Sequence, residues 1–163
     1  MDYVRAVESS EALKKSKTFN DFGVSVQYTP RPYVVLQSSP NCGSDLFQKE
    51  LSKLGRLSYF TMKITGIGNG ISQRYLNSPK LGNYFDYRFE NDITIFYDGI
   101  EVKPSLYHFV HGNDLSTERT FLMAFDLEEA KQDIQLKVKS DVFHFGEMNF
   151  QFDFKNVPTY NPS

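Results

Sequence analysis

The chain contains no tryptophan and only one cysteine, Cys42, in 163 residues. A single thiol can form no intrachain disulfide. No histidine stands near Cys42 in sequence to activate it, so it lacks the setting of a catalytic nucleophile. The missing tryptophan removes the flat platform that carbohydrate-binding modules often present. Net charge is also small: 18 basic and 20 acidic residues leave a formal net charge of −2. That balance gives no footprint for nucleic acid or anionic lipid. Lys14, Lys15 and Lys17 form the one dense basic cluster, and it reads as a solvated segment. No apolar run approaches the ~20 residues needed to span a bilayer. No charged-then-apolar signal sequence opens the chain.

What is present is aromatic. Fifteen phenylalanines and ten tyrosines supply a bulky core. Aromatic residues favour strands, where they pack across neighbours. The length suggests one domain. Such a chain buries roughly 70% of its unfolded surface and holds a core without staples. The clearest pattern is Met148-Asn149-Phe150-Gln151-Phe152-Asp153-Phe154-Lys155. Strand side chains alternate between faces, so Met148, Phe150, Phe152 and Phe154 share one buried face.

Similar patterns recur along the chain. Phe22, Val24, Val26 and Tyr28 alternate with polar residues, until Pro30 and Pro32 stop sheet pairing. Tyr33–Leu36 reads as a short strand or edge segment. Asp45–Leu54 is the best helix, with Asp45 and Gln48 as a capping box and Phe47, Leu51 and Leu54 on one stripe. Gly55 is its expected stop. Arg56–Thr65 is apolar on both faces and reads as a central strand. From Gly66 to Asn83 periodicity fades, and a long connection with one short helix near Ser72–Leu76 is expected. Phe85, Tyr87 and Phe89 alternate as in a strand. Ile93–Tyr97 and Ile100–Val102 flank Asp98-Gly99, a hairpin turn signal. Strands follow at Ser105–Val110, Glu118–Asp126 and Ile134–Val138, with turns at His111–Asp114 and Ser140-Asp141 and a polar connection at Leu127–Asp133.

Eight or nine strands with short turns predict an all-β fold with minor helix. The expected architecture is a two-sheet antiparallel β-sandwich, Ig-like, with one short helix near 45–54. A barrel is the competing arrangement. Residues 1–17 are expected to be a polar leader or tether, 18–155 the single sandwich domain, and 156–163 a C-terminal tail.

The chemistry-bearing residues form no convincing constellation. His108 and His111 are three apart, a spacing that points to opposite faces of a strand. A third ligand such as His144 would have to arrive through the fold. Asp86, Glu90, Asp92, Asp98, Glu101, Asp126, Glu128 and Glu129 fall in turns or outward positions, not in a paired-acid cleft pattern. Gly66-x-Gly68-x-Gly70 lacks the βαβ setting of a phosphate cradle. The segment 66–84 holds no acidic residue for a calcium loop. No Gly-x-Ser-x-Gly elbow occurs. Tyrosine-rich loops suit protein binding. Arg74, Tyr75, Tyr84 and Phe85 flank the long connection and are the expected interface residues.

Four short segments carry a resemblance. Tyr28-Thr29-Pro30 with Tyr33, Glu90-Asn91-Asp92-Ile93, Leu106-Tyr107-His108-Phe109, and Arg119-Thr120-Phe121-Leu122 occur in this order. Together they resemble a family of uncharacterised exported lipoprotein ectodomains of Bacteroidota. The resemblance spans roughly residues 18–155 and brings no catalytic residues. It implies a periplasmic or cell-surface domain tethered to the outer membrane by an acylated N-terminal cysteine, with Asp2–Lys17 as spacer. The expected function is therefore a non-enzymatic exported binding or structural subunit of a cell-envelope assembly. Its expected partner is a protein, and no cofactor is called for. The alternative is a subunit of a tail tube, baseplate or similar ring-forming assembly in the cytoplasm or virion. A carbohydrate-active hydrolase or binding module is third.

Overall fold

A computed structural model describes residues 2–68, 70–112, 116–127, 133–143 and 146–161. Among the described residues, nine antiparallel strands form two sheets. The larger sheet has the order β1-β2-β3-β7-β6. Its strands are β1 (Lys14–Phe19), β2 (Phe22–Thr29), β3 (Leu57–Gly66), β6 (Leu106–Val110) and β7 (Glu118–Asp126). The smaller sheet has the order β5-β4-β8-β9. It is built from β4 (Ile93–Tyr97), β5 (Ile100–Val102), β8 (Ile134–Lys139) and β9 (Glu147–Phe152). The two-sheet antiparallel sandwich read from the sequence is the observed fold.

Alternation fixes which faces meet. Phe22, Val24, Val26 and Tyr28 of β2 turn inward with Phe60, Met62 and Ile64 of β3. Phe121, Met123 and Phe125 of β7 lie on the same face. Opposite them stand Ile93, Ile95, Leu136, Val138, Met148, Phe150 and Phe152 of the smaller sheet. All belong to one core. Phe60 bridges the sheets, with ring centroids 5.6 Å from both Phe125 and Phe152 in edge-to-face contacts. Aromatic pairs prefer that geometry. The β4–β5 hairpin turns on Asp98 and Gly99, both at positive φ (50° and 73°), as its sequence requires.

The sandwich carries more helix than one short segment. Among the described residues the α-helices are α1 (Asp2–Ser9), α2 (Arg31–Ser38), α3 (Ser44–Lys53), α4 (Ile71–Leu76) and α5 (Pro79–Tyr87). The expected helix at 45–54 is α3, but Gly43 is its N-cap residue and Asp45 lies inside the first turn. Gly55 follows it at φ 59°, the left-handed stop that the sequence announced. The Tyr33–Leu36 run lies in α2, because Pro30-Arg31-Pro32 opens a helix with proline in its first turn.

The greatest departure is at residues 66–92. Phe85 and Tyr87 belong to α5, and Phe89 to a following 3-10 turn, so their alternation is not that of a strand. Ser78 caps α5 by accepting from the Leu81 amide, and Pro79 fills the first helical position. Leu81, Tyr84 and Phe85 then fall on one buried stripe. The supposed long connection is thus a helical plug closing one end of the sandwich. Gly66 admits it: a Cβ there would meet the Gln73 backbone nitrogen at 2.6 Å.

The described residues before β2 and after β9 pack against the domain. Residues 1–17 were expected to form a leader, yet Val7 of α1 and Leu13 are fully buried and β1 pairs along β2. Val4, Val7 and Leu13 are apolar anchors that the surrounding charge obscures. In the tail, Tyr160 lies between Tyr3 and Phe47, with centroids 5.2 and 4.7 Å away. Asn69, the 113–115 part of the turn after β6, residues 128–132 of the Leu127–Asp133 connection, and His144 lie outside the described residues.

Candidate functional site

The residues expected at an interface are mostly internal. Arg74 is exposed on α4. Tyr75 is half-buried, and its hydroxyl donates to the Val142 carbonyl at 2.9 Å. Tyr84 keeps only 3% of its surface exposed, and Phe85 none. The Phe85 ring packs on Phe121 at 4.9 Å, Phe109 at 5.3 Å and Phe89 at 5.4 Å. Tyr84 and Phe85 therefore cannot face a partner. Their position three and four residues beyond Leu81 on a helix turns them inward.

Tyr84 instead anchors a buried polar cluster. Its hydroxyl donates to the Asp92 carboxylate and meets Ser140 Oγ at 2.7 Å. Burial, and then the adjoining carboxylate, hold the phenol well above its ordinary 10.0. Tyr107 of β6 donates to the Phe85 carbonyl at 2.6 Å, and burial likewise raises its pKa. These bonds tie α5 to β6 and to the one end of the smaller sheet's β4–β8 pair where Asp92 and Ser140 sit. They fix geometry, each hydroxyl of the cluster being taken up by a hydrogen-bond partner.

The two described histidines are separated. His108 is exposed on the outward face of β6, opposite Leu122 of β7. His111 lies past the strand end and pairs with Asp86 of α5 at 2.7 Å. Among the described residues, no group of three or more histidines, cysteines or carboxylates could hold a metal. Near His111, a groove of about 170 Å³ is lined by Asn77, Ser78 and Arg119 among others. Its groups are already engaged. Arg119 donates to the Asn77 side chain and to the Ser116 and Glu118 carbonyls. Ser78 Oγ donates to the Tyr75 carbonyl at 2.7 Å. A second cleft, of about 310 Å³, lies among Tyr3, Tyr28, Arg31 and Phe154 and is walled on one side by the chain's own Val157–Tyr160.

What the fold does offer is an edge. The larger sheet ends at β6 and the smaller at β5 on one side of the sandwich. On the other side β1 lies against β9, where Lys17 donates to the Asn149 carbonyl and sits 5.5 Å from the Phe150 ring centre. The β6 sequence, Leu-Tyr-His-Phe-Val, contains no acidic, lysine, arginine or proline residue. Natural edge strands commonly carry charge, proline or a bulge to block further pairing. Beside it the surface is apolar, with Leu106 55% and Leu122 44% exposed on the outward face of the sheet. Tyr87, 73% exposed, stands at the end of α5 beside Asp86, which holds His111. Sequence reading found β6 as a strand. Its place at a sheet edge follows from strand order, which single-sequence patterns do not carry.

No family model matches the chain. No curated protein matches it either. Among solved structures, the chain is similar to a DUF4426 family protein from Pseudomonas aeruginosa PAO1. The two share 9% identity over 93% of this chain and 100% of that one, with a TM-score of 0.42. A likeness that distant lends nothing to the functional reading.

Proposed function

We propose that the protein is a non-enzymatic binding or structural subunit of a cell-envelope assembly, working through the β6 side of its sandwich. The observation that carries this reading is the uncharged edge strand β6, flanked by exposed Leu106 and Leu122. Extended segments add to such edges through main-chain hydrogen bonds, and neighbouring side chains supply selectivity. Placement at the periplasmic face or cell surface rests on the resemblance to exported lipoprotein ectodomains. A ring-forming subunit is the second reading. Among the described residues the β5 edge, with Ile100 exposed, is a second unpaired edge, suited to receive β6 of a neighbour head to tail.

Two measurements test the proposal. Native full-length protein from its source cells should partition into detergent and carry acyl mass at its N-terminus. Aqueous recovery with no added mass removes the envelope-lipoprotein reading. A variant with Leu106→Lys and Leu122→Lys should fold, since both side chains already face solvent, and should lose its in-cell crosslinks. Crosslinks that survive both lysines sink the β6 assignment.

A further inference from the structure

We infer that the partner of the β6 edge is a second copy of this chain, paired antiparallel about a two-fold axis at His108. This inference rests on the reading above and names its partner. The four edge strands differ in what they permit. Strand β1 carries Lys14, Lys15 and Lys17, so two copies would set like charges against each other. Strand β9 is covered by β1. Strand β5 is three residues long and includes Glu101. Only β6 is both free of acidic and lysine side chains and long enough, at five residues, for a stable ladder.

The β6 sequence is also symmetric in character. Reading outward from His108, each direction meets an aromatic residue and then an aliphatic one: Tyr107 and Leu106, or Phe109 and Val110. Antiparallel self-pairing about residue 108 therefore sets Leu106 opposite Val110 of the other copy and Tyr107 opposite Phe109. His108 meets its own equivalent. Leu106, His108 and Val110 stay together on the outward face, because opposed residues in a ladder share a face. The register is bounded as well. Pro104 precedes the strand and cannot donate to a ladder, so sliding in that direction loses a bond. Gly112 lies just beyond the other end. Centring on His108 uses all five residues and keeps Pro104 out. Because the contact uses the same patch on both copies, it closes at two and leaves no free β6 edge for a ring.

Charge at position 108 supplies the test. The side chain is exposed, so substitutions there leave the monomer fold intact. Sedimentation of the full chain should show a monomer–dimer equilibrium. His108→Lys alone and His108→Glu alone should each weaken it at least about five-fold, because like charges then stand directly opposite. A one-to-one mixture of the two variants should restore the dimer. A wild-type chain that stays monomeric at high concentration overturns the inference. So does a dimer unaffected by either variant, or a mixture that recovers nothing. A photo-crosslinking residue at position 108 in source cells separates this inference from the broader one. A product of twice the chain mass supports the homodimer. A product with another protein overturns the homodimer and leaves the β6 edge as a binding site. Absence of any product overturns both.

Discussion

The two long sides of the sandwich solve the same problem differently. On one side β1 and β9 close against each other, and lysines guard what remains open. Lys17 reaches across to the Asn149 carbonyl and the face of Phe150. On the other side β6 is backed from within by α5, and among the described residues no strand pairs with its outer edge, which itself carries no acidic, lysine or arginine side chain. The closed side is local and electrostatic in its defence. The open side is held from behind by a dense aromatic cluster that includes Phe85, Phe89, Phe109 and Phe121. A sheet that must stay soluble protects its edges. One uncharged edge beside an aromatic buttress is the feature on which the proposed docking rests.

The largest break in this contrast should come from Phe85→Ala. Its ring, carried by the helical plug, packs on Phe109 of β6 and Phe121 of β7, and none of it is exposed. Truncating a buried phenylalanine costs about 3–5 kcal/mol through lost burial and a residual cavity. Urea unfolding should show that loss, and hydrogen exchange should show β6 losing protection before β1. Equal loss on both sides would mean that the buttress does not act locally.

The buttress was the part least visible in the sequence. Strands β2, β3, β7, β8 and β9 and the Asp98-Gly99 hairpin were legible, because their alternation or turn chemistry is strong and local. Strand β1 was not: Lys-Lys-Ser-Lys-Thr-Phe shows no apolar face, since an edge strand needs little of one. In α5, the chance alternation of Phe85, Tyr87 and Phe89 outweighed the true signal, Ser78-Pro79 followed by the Leu81, Tyr84, Phe85 stripe. That same error made Tyr84 and Phe85 look like surface aromatics. The exposed residues around β6 could be named in sequence only as strand residues, because edge position is a property of strand order.

An intermediate effect should come from alkali. Tyr84 and Tyr107 clamp α5 against the sheets, and Tyr3 packs on the tail. Burial raises all three phenols above their ordinary 10.0. A raised tyrosine keeps its proton in the folded chain while the unfolded chain releases it. Its stabilising contribution is therefore complete below pH 10 and lost as pH climbs from there toward the raised values. The urea midpoint should fall across that window. Tyr84→Phe should be less stable at neutral pH by about 1–3 kcal/mol, since Asp92 and Ser140 lose a buried partner. Its alkaline decline should be shallower than that of the wild type. An equally steep decline would show that Tyr84 is not among the groups responsible.

The smallest effect on stability should have the clearest effect on behaviour. Lys17→Ala removes one hydrogen bond and one cation–ring contact at an exposed position, worth about 0.5–1 kcal/mol. The fold should tolerate that. The change also removes the charge where β1 meets β9 and leaves Phe150 less covered. If the closed side is closed chiefly by this lysine, the variant should gain concentration-dependent association that His108→Lys does not suppress. If it stays as dispersed as the wild type, pairing of β1 along β2 and the buried contacts of Phe150 suffice to keep that side shut. Adding His108→Lys to Lys17→Ala therefore assigns each self-association event to one side of the sandwich.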